Sequence, residues 1–146
     1  MTQQIILYAS TDEDTTIVPE LFAAIDTRLS VIIVNDGESF IARYVQLAQQ
    51  ETQPLLAIID YGVPGVSGAN VARSVRGIER GLGLATTAII LRCHPENSPE
   101  TAQVIPELGR AVQLTRKAEY APTQQLKRLA KASAKVITQL KGRGRQ

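Results

Sequence analysis

Short apolar runs alternate along this chain with stretches in which apolar residues recur every three or four positions. "IILYA" (5–9) predicts a first strand, after which Val18, Leu21, Phe22, Ile25 and Leu29 fall at helical spacing. "VIIVN" (31–35) is a β-branched second strand, and past the turn "DGES" the residues Ile41, Tyr44, Val45 and Ala48 share one helical face. "LLAIID" (55–60) is the third strand, followed by a glycine-rich turn and a helix that carries Val71, Val75 and Ile78 together. "TAIIL" (87–91) predicts a fourth strand, "SPETAQVIPELG" (98–109) a short helix that Pro106 shortens or distorts, and "RAVQL" (110–114) a weaker fifth strand. Residues 123–141 close the series as a long amphipathic helix with Leu126, Leu129, Ser133, Val136 and Leu140 inward.

A strand buried on both sides cannot carry polar alternation, so apolar runs between helices predict a parallel sheet covered on both faces. The expected fold is a doubly wound α/β domain of five strands and five helices with an extended C-terminal helix. Sheets of this kind bind ligands at the carboxyl ends of their strands. Asp60 ends the third apolar run and stands at such an end.

The stretch "DYGVPGVSG" (60–68) places Pro64, Gly65 and Gly68 at fixed offsets from Asp60. In this βα setting, D-x-x-x-P-G-x-x-G resembles the receiver domains of two-component response regulators, and the likeness extends over roughly residues 4–141. The resemblance implies a flavodoxin-like, chemotaxis-protein-like (βα)5 fold and makes Asp60 the candidate phosphoacceptor. "NDGESFIARY" is similar to the family's Asp-Gly turn after its second strand, and Gly109 to the glycine that ends its fourth helix.

Elsewhere in the family's site the residues differ. The two acids that hold Mg²⁺ after the first strand correspond to Ser10 and Thr11. Asp12, Glu13 and Asp14 follow; a shifted loop would bring one to a metal, whereas acids in the first turn of a helix need no such role. The hydroxyl residue after the fourth strand corresponds to Arg92, or to Cys93 with a one-residue shift. The lysine after the fifth strand corresponds to Arg116 or Lys117, with no proline behind it, and the aromatic switch within that strand to Gln113.

Phosphoryl transfer to a carboxylate rests on positioning and charge neutralisation. With the metal acids, the hydroxyl and the aromatic replaced, the expectation is a pseudo-receiver that keeps Asp60 but works through protein contacts. Arg92 would offer Asp60 a bidentate guanidinium, supplying permanently the charge that Mg²⁺ and phosphate bring conditionally. No resident cofactor is then expected. Mg²⁺, on Asp12 and Asp60, belongs to the alternative of a working phosphoacceptor assisted by Arg116 or Lys117. The expected partner is a protein signalling component, a histidine kinase or a downstream regulator, and homodimerisation stays open.

Charge adds a second feature. The net +2 conceals −5 over residues 1–119 and +7 over residues 120–146, which contain Lys127, Arg128, Lys131, Lys135, Lys141, Arg143 and Arg145 and no acid. Lys127, Lys131 and Lys135 repeat at i, i+4. This is either a solvated face or a basic arm for an acidic partner or nucleic acid, and the lack of interleaved aromatics disfavours base stacking. The expected organisation is one domain over 1–141 and a basic tail over 142–146. No DNA-binding domain follows the last helix, which suggests a module that acts alone.

A hydrophobic share of 44% suits a globular core. No apolar run is long enough to span a bilayer and the start lacks a basic leader, so a cytoplasmic protein is expected. Cys93 and His94 are the sole cysteine and histidine, which excludes a disulfide framework and a clustered zinc site within the chain. Their adjacency leaves a Cys–His pair to weigh against a small core residue next to a loop imidazole. An enzyme or nucleotide-binding protein on the same fold is the weaker reading. "ASTDED" has neither a phosphate-cradling glycine loop nor a base, and "GIERGLGLA" precedes a strand where a phosphate site needs a helix.

Overall fold

The computed structural model describes residues 3–8, 12–61, 67–116 and 121–143. Five strands, β1 (Gln3–Tyr8), β2 (Leu29–Val34), β3 (Leu56–Asp60), β4 (Ala88–Cys93) and β5 (Ala111–Thr115), alternate with five helices, α1 (Asp12–Ile25), α2 (Gly37–Gln49), α3 (Gly68–Leu82), α4 (Ser98–Leu108) and α5 (Pro122–Arg143). The strands are parallel in the order β2-β1-β3-β4-β5. Successive strands are added to one side of β1 and then, from β3 on, to the other, and the crevice at such a switch point is where open α/β sheets place their sites.

Strand alternation divides the core in two. Ile5, Leu7, Leu56, Ile58 and Ile90 face α1 and α5, where they meet Val18, Phe22, Leu126, Leu129 and Ile137. Ile6, Tyr8, Ala57, Ile59, Ile89 and Leu91 face α2, α3 and α4, where they meet Phe40, Tyr44, Val71, Val75, Val104 and Leu108. β3 is buried at all five positions because it is central, whereas β5 lies at an edge and leaves Val112 exposed.

Several element limits and facing positions depart from the pattern. Leu29, at helical spacing with α1, is instead the first residue of β2; its apolar side chain is buried in either case, so spacing alone could not assign it. On α2 the buried face is Phe40, Tyr44, Leu47 and Ala48, while Ile41 and Val45 are only half-buried on its flanks. On α5 it is Ile137 that is buried and Val136 that is half-buried; Leu140's side chain lies outside the description. β4 runs on through Arg92 and Cys93, past the end of the apolar run. α5 continues to Arg143, two residues into the segment expected as a tail. Pro106 sits in the last turn of α4, which ends at Gly109 with φ 65° and ψ −172°. Only glycine adopts that backbone without strain.

The turns that lead into the site have explicit chemistry. Asp36 caps α2, accepting from Ser39 N at 2.8 Å and from Ser39 Oγ at 2.9 Å, and those hydrogen bonds hold its carboxyl below the usual range. Ser67 caps α3 by accepting from Asn70 N. Gly68 is the first residue of α3 and donates its N–H to Tyr61 O at 2.8 Å. A Cβ on Gly68 would collide with the Asp60 carbonyl and with the Tyr61 Cα, both of them backbone. Gly68→Ala is therefore expected to lower stability by about 2 kcal/mol or more, while Gly77→Ala, on the same helix with open space around it, raises it by about 0.5 to 1 kcal/mol. Urea unfolding of the two variants checks the contrast; equal effects would show that the turn yields freely.

Candidate functional site

Asp60, the last residue of β3, stands in register with Arg92 of β4, so their side chains leave neighbouring strands on the same face. The Arg92 guanidinium donates from Nε to Asp60 Oδ1 at 2.6 Å and from Nη2 to Asp60 Oδ2 at 3.3 Å. This is the forked geometry in which arginine binds a carboxylate best. Both residues are buried, Arg92 at 4% exposure and Asp60 at 8%. A second guanidinium, that of Arg116 just beyond β5, reaches Asp60 Oδ2 from Nη2 at 3.4 Å. Arg116 is positioned by its own backbone, whose N–H donates to Cys93 O at 2.8 Å. Two cations brought by two different strands thus converge on one carboxylate.

The surroundings are tied in. Tyr8, at the end of β1, is buried, and that burial, followed by the charges of Asp60 and Asp36, pushes its phenol above the usual range. Tyr61, next to Asp60, donates its hydroxyl to Glu100 of α4 at 2.9 Å, which raises its own pKa. Gln113 of β5 points its amide at the start of α4. Nε2 lies 2.8 Å from Ser98 Oγ, 3.1 Å from Ser98 O, 3.1 Å from Thr115 Oγ1 and 3.5 Å from Cys93 Sγ. Where the resemblance implies a rotating aromatic ring, a hydrogen-bonding amide holds β5 to α4.

Of the other candidates, Asp12 opens α1 with Glu13 and Asp14 behind it, but their side chains, like Ser10, Thr11, Pro64, Gly65 and Lys117 entirely, lie outside the described residues. Arg92 is a strand residue rather than a loop residue, and Arg116 is the described cation beyond β5 that reaches Asp60. Cys93 is buried against Thr115 while His94 is exposed at the edge of the loop, so no hydrogen bond joins them among the described contacts. Along α5, Lys127, Lys131 and Lys135 are exposed, and Arg128 is half-buried with Nη1 donating to Thr115 O at 2.7 Å. The side chains of Lys141 and Arg143, and all of Arg145, lie outside the description.

At the opposite end of the sheet is a polar cluster that the sequence did not reveal. Arg76 and Glu79 of α3, 6% and 1% exposed, form an ion pair at 2.8 Å. Arg76 also donates to Leu108 O and Thr87 O, and Glu79 accepts from Tyr44 Oη and from Thr87 N. Gln53 completes the group by donating to Ala85 O. The only signal in the sequence was the i, i+3 spacing of an arginine and a glutamate beside Val75, which is ordinary on an exposed helix.

No family model matches the chain. No curated protein matches it either. Solved structures do. A response regulator receiver domain protein from Clostridium thermocellum is 13% identical, with 95% of this chain and 97% of that chain covered at a TM-score of 0.69. The phosphorylated cyanobacterial phytochrome response regulator RcpA is 17% identical, with 90% and 91% covered at 0.69. The chemotaxis response regulator CheY4 of Vibrio cholerae is 20% identical, with 90% and 98% covered at 0.60. Likeness at such low identity is likeness of architecture, and it agrees with the strand order and the two-sided core: the chain has the flavodoxin-like fold of response regulator receiver domains.

Proposed function

We propose that this chain is a receiver-like signalling module that acts through protein contacts, with Asp60 held permanently by arginine instead of serving as a phosphate switch. The observation that carries the reading is the buried fork from Arg92 to both oxygens of Asp60, reinforced by Arg116. A phosphodonor attacked by Asp60 must find a free carboxylate oxygen, and here both oxygens face guanidinium donors. A hard divalent cation needs oxygen ligands in near-octahedral array. Asp60 is engaged by two guanidinium groups, which supports a site that works without Mg²⁺. Chemistry in this reading is absent and the output is a surface, recognised by a signalling protein in the cytoplasm. No helix among the described residues is long and apolar enough to cross a membrane.

The test is incubation with a small-molecule phosphodonor and Mg²⁺, followed by intact mass measurement. The expected result is an unchanged mass for the native protein. A stoichiometric phosphoryl adduct that disappears in Asp60→Asn would overturn the lock and leave a working phosphoacceptor with Arg116 as its cation.

A further inference from the structure

The amino ends of β1 and β3, opposite the edge that carries Asp60, border a cavity of about 570 Å³ lined by Gln3, Gln4 and residues 51–55. Its volume is that of a small-molecule site. The wall is preformed. Leu55 N donates to Gln4 O at 2.8 Å, which ties the loop leading into β3 to the start of β1. Gln53 Nε2 donates to Ala85 O at 2.6 Å and lies 2.9 Å from Thr87 Oγ1, so the same loop is anchored to the buried cluster behind it.

Two features of this wall do nothing for the fold. The side-chain oxygens Oε1 of Gln3 and of Gln4 are buried and have no hydrogen-bond partner among the described residues. A buried acceptor left unpaired destabilises a protein, which is why nearly all such atoms are paired. The other feature is Glu51, the one non-glycine residue with a positive φ among the described residues, at 60°. It follows α2 in a Schellman turn, with Glu51 N donating to Ala48 O and Thr52 N to Leu47 O. Glycine suits that backbone, and a glutamate there is strained. Glu51 is exposed, and no ion pair takes up its carboxylate among the described residues.

All three groups are hydrogen-bond acceptors, and Pro54 and Leu55 add apolar lining. Consecutive strand residues project to opposite faces, so Gln4 lies on the side of α2, which Glu51 follows, and Gln3 on the side of α1. Acceptors at two separate positions beside an apolar surface match a short alkyl chain with N–H donors at both ends. We infer that this cavity binds a small aliphatic diamine, with one ammonium at Gln4 and Glu51, the other at Gln3, and the methylenes on Pro54 and Leu55. An anion is the wrong charge for the Glu51 carboxylate, and the guanidinium of Arg28, whose carbonyl accepts from Gln3 N, is turned to Asp26. The site lies at the end of the sheet away from Asp60 and does not rest on the arginine fork.

The experiment is isothermal titration calorimetry of the full-length protein with three probes that share a four-carbon chain: putrescine, butanediol and succinate. Putrescine is expected to bind at least about tenfold tighter than butanediol, because its hydrogen bonds are charge-assisted, and succinate is expected not to bind. Gln4→Leu and Glu51→Gly are each expected to weaken putrescine binding at least about fivefold. Their melting temperatures without ligand should equal or exceed that of the native protein, since leucine removes an unpaired buried acceptor and glycine relieves the positive φ. No binding of putrescine, butanediol or succinate binding as tightly, or an unchanged affinity in either variant would overturn the assignment. So would a lower melting temperature in either variant, which would show that the residue serves the fold.

Discussion

Asp60→Ala is expected to destabilise the fold by about 3 to 5 kcal/mol, since it takes the forked carboxylate away from the guanidinium of Arg92, a residue of which only 4% meets water. The reciprocal change, Arg92→Met, is expected to cost less. It puts an unbranched apolar chain into the space of the arginine stem and leaves Asp60 with Arg116 at 3.4 Å. The double variant Asp60→Ala/Arg92→Met removes both buried charges together and should recover most of the loss, because apolar replacement of a whole buried pair is often neutral. Urea unfolding of the four proteins measures the coupling directly. If the two single costs simply add, the fork is not an energetic unit and the lock has no physical basis. The same series bears on function: Arg92→Met exposes Asp60 to a phosphodonor, so the variant, unlike the native protein, would be the form in which an adduct is sought.

The second large effect is expected at the other end of the sheet. Glu79→Ala leaves Arg76 buried without its carboxylate and takes away the acceptor for Thr87 N and Tyr44 Oη, for an expected loss of about 3 to 5 kcal/mol. Glu79→Gln keeps an acceptor in place and should lose less. Tyr44→Phe is expected to cost only about 1 kcal/mol, since Glu79 and Thr87 keep other partners, but it should alter the alkaline limb of stability. Burial is the main cause that pushes the Tyr44 phenol from 10.0 up to about 12. The folded state therefore keeps a proton that the unfolded chain gives up. The stabilising contribution is whole below about pH 10 and is lost as pH rises to about 12. Unfolding curves taken across that window should fall more steeply in the native protein than in Tyr44→Phe. Parallel curves would mean that the phenol's burial has no thermodynamic consequence.

These two clusters show why only one of them was legible beforehand. Asp60 was found because a single charge ends an apolar run at the sheet's carboxyl edge, and the proline and glycines at fixed offsets behind it resemble the phosphoacceptor turn of receiver domains. Gly68 was found for its position and explained only by the fold, which brings the β3 end so close that no Cβ fits. Arg92 followed the run "AIIL" and read as the first loop residue, yet the ladder with β3 continues through it and pairs it directly with Asp60. Arg76 and Glu79 carried no such mark. Their burial comes from Tyr44, Thr87, Gln53 and the carbonyls of Leu108 and Thr87, which are distant in the chain and meet only where α2, α3 and the entries to β4 and β5 converge.

The sequence by itself determined the alternation of five strands and five helices, the two-sided burial of the sheet and the placing of Asp60 at its carboxyl edge, because periodicity and turn residues are local properties of the chain. The tertiary structure decided which cations reach that carboxylate, which helix faces are truly buried and where the start of β1 and the loop into β3 leave a cavity. Those outcomes depend on register between strands and on the packing of helices across the sheet, and neither is encoded by the neighbours of any single residue.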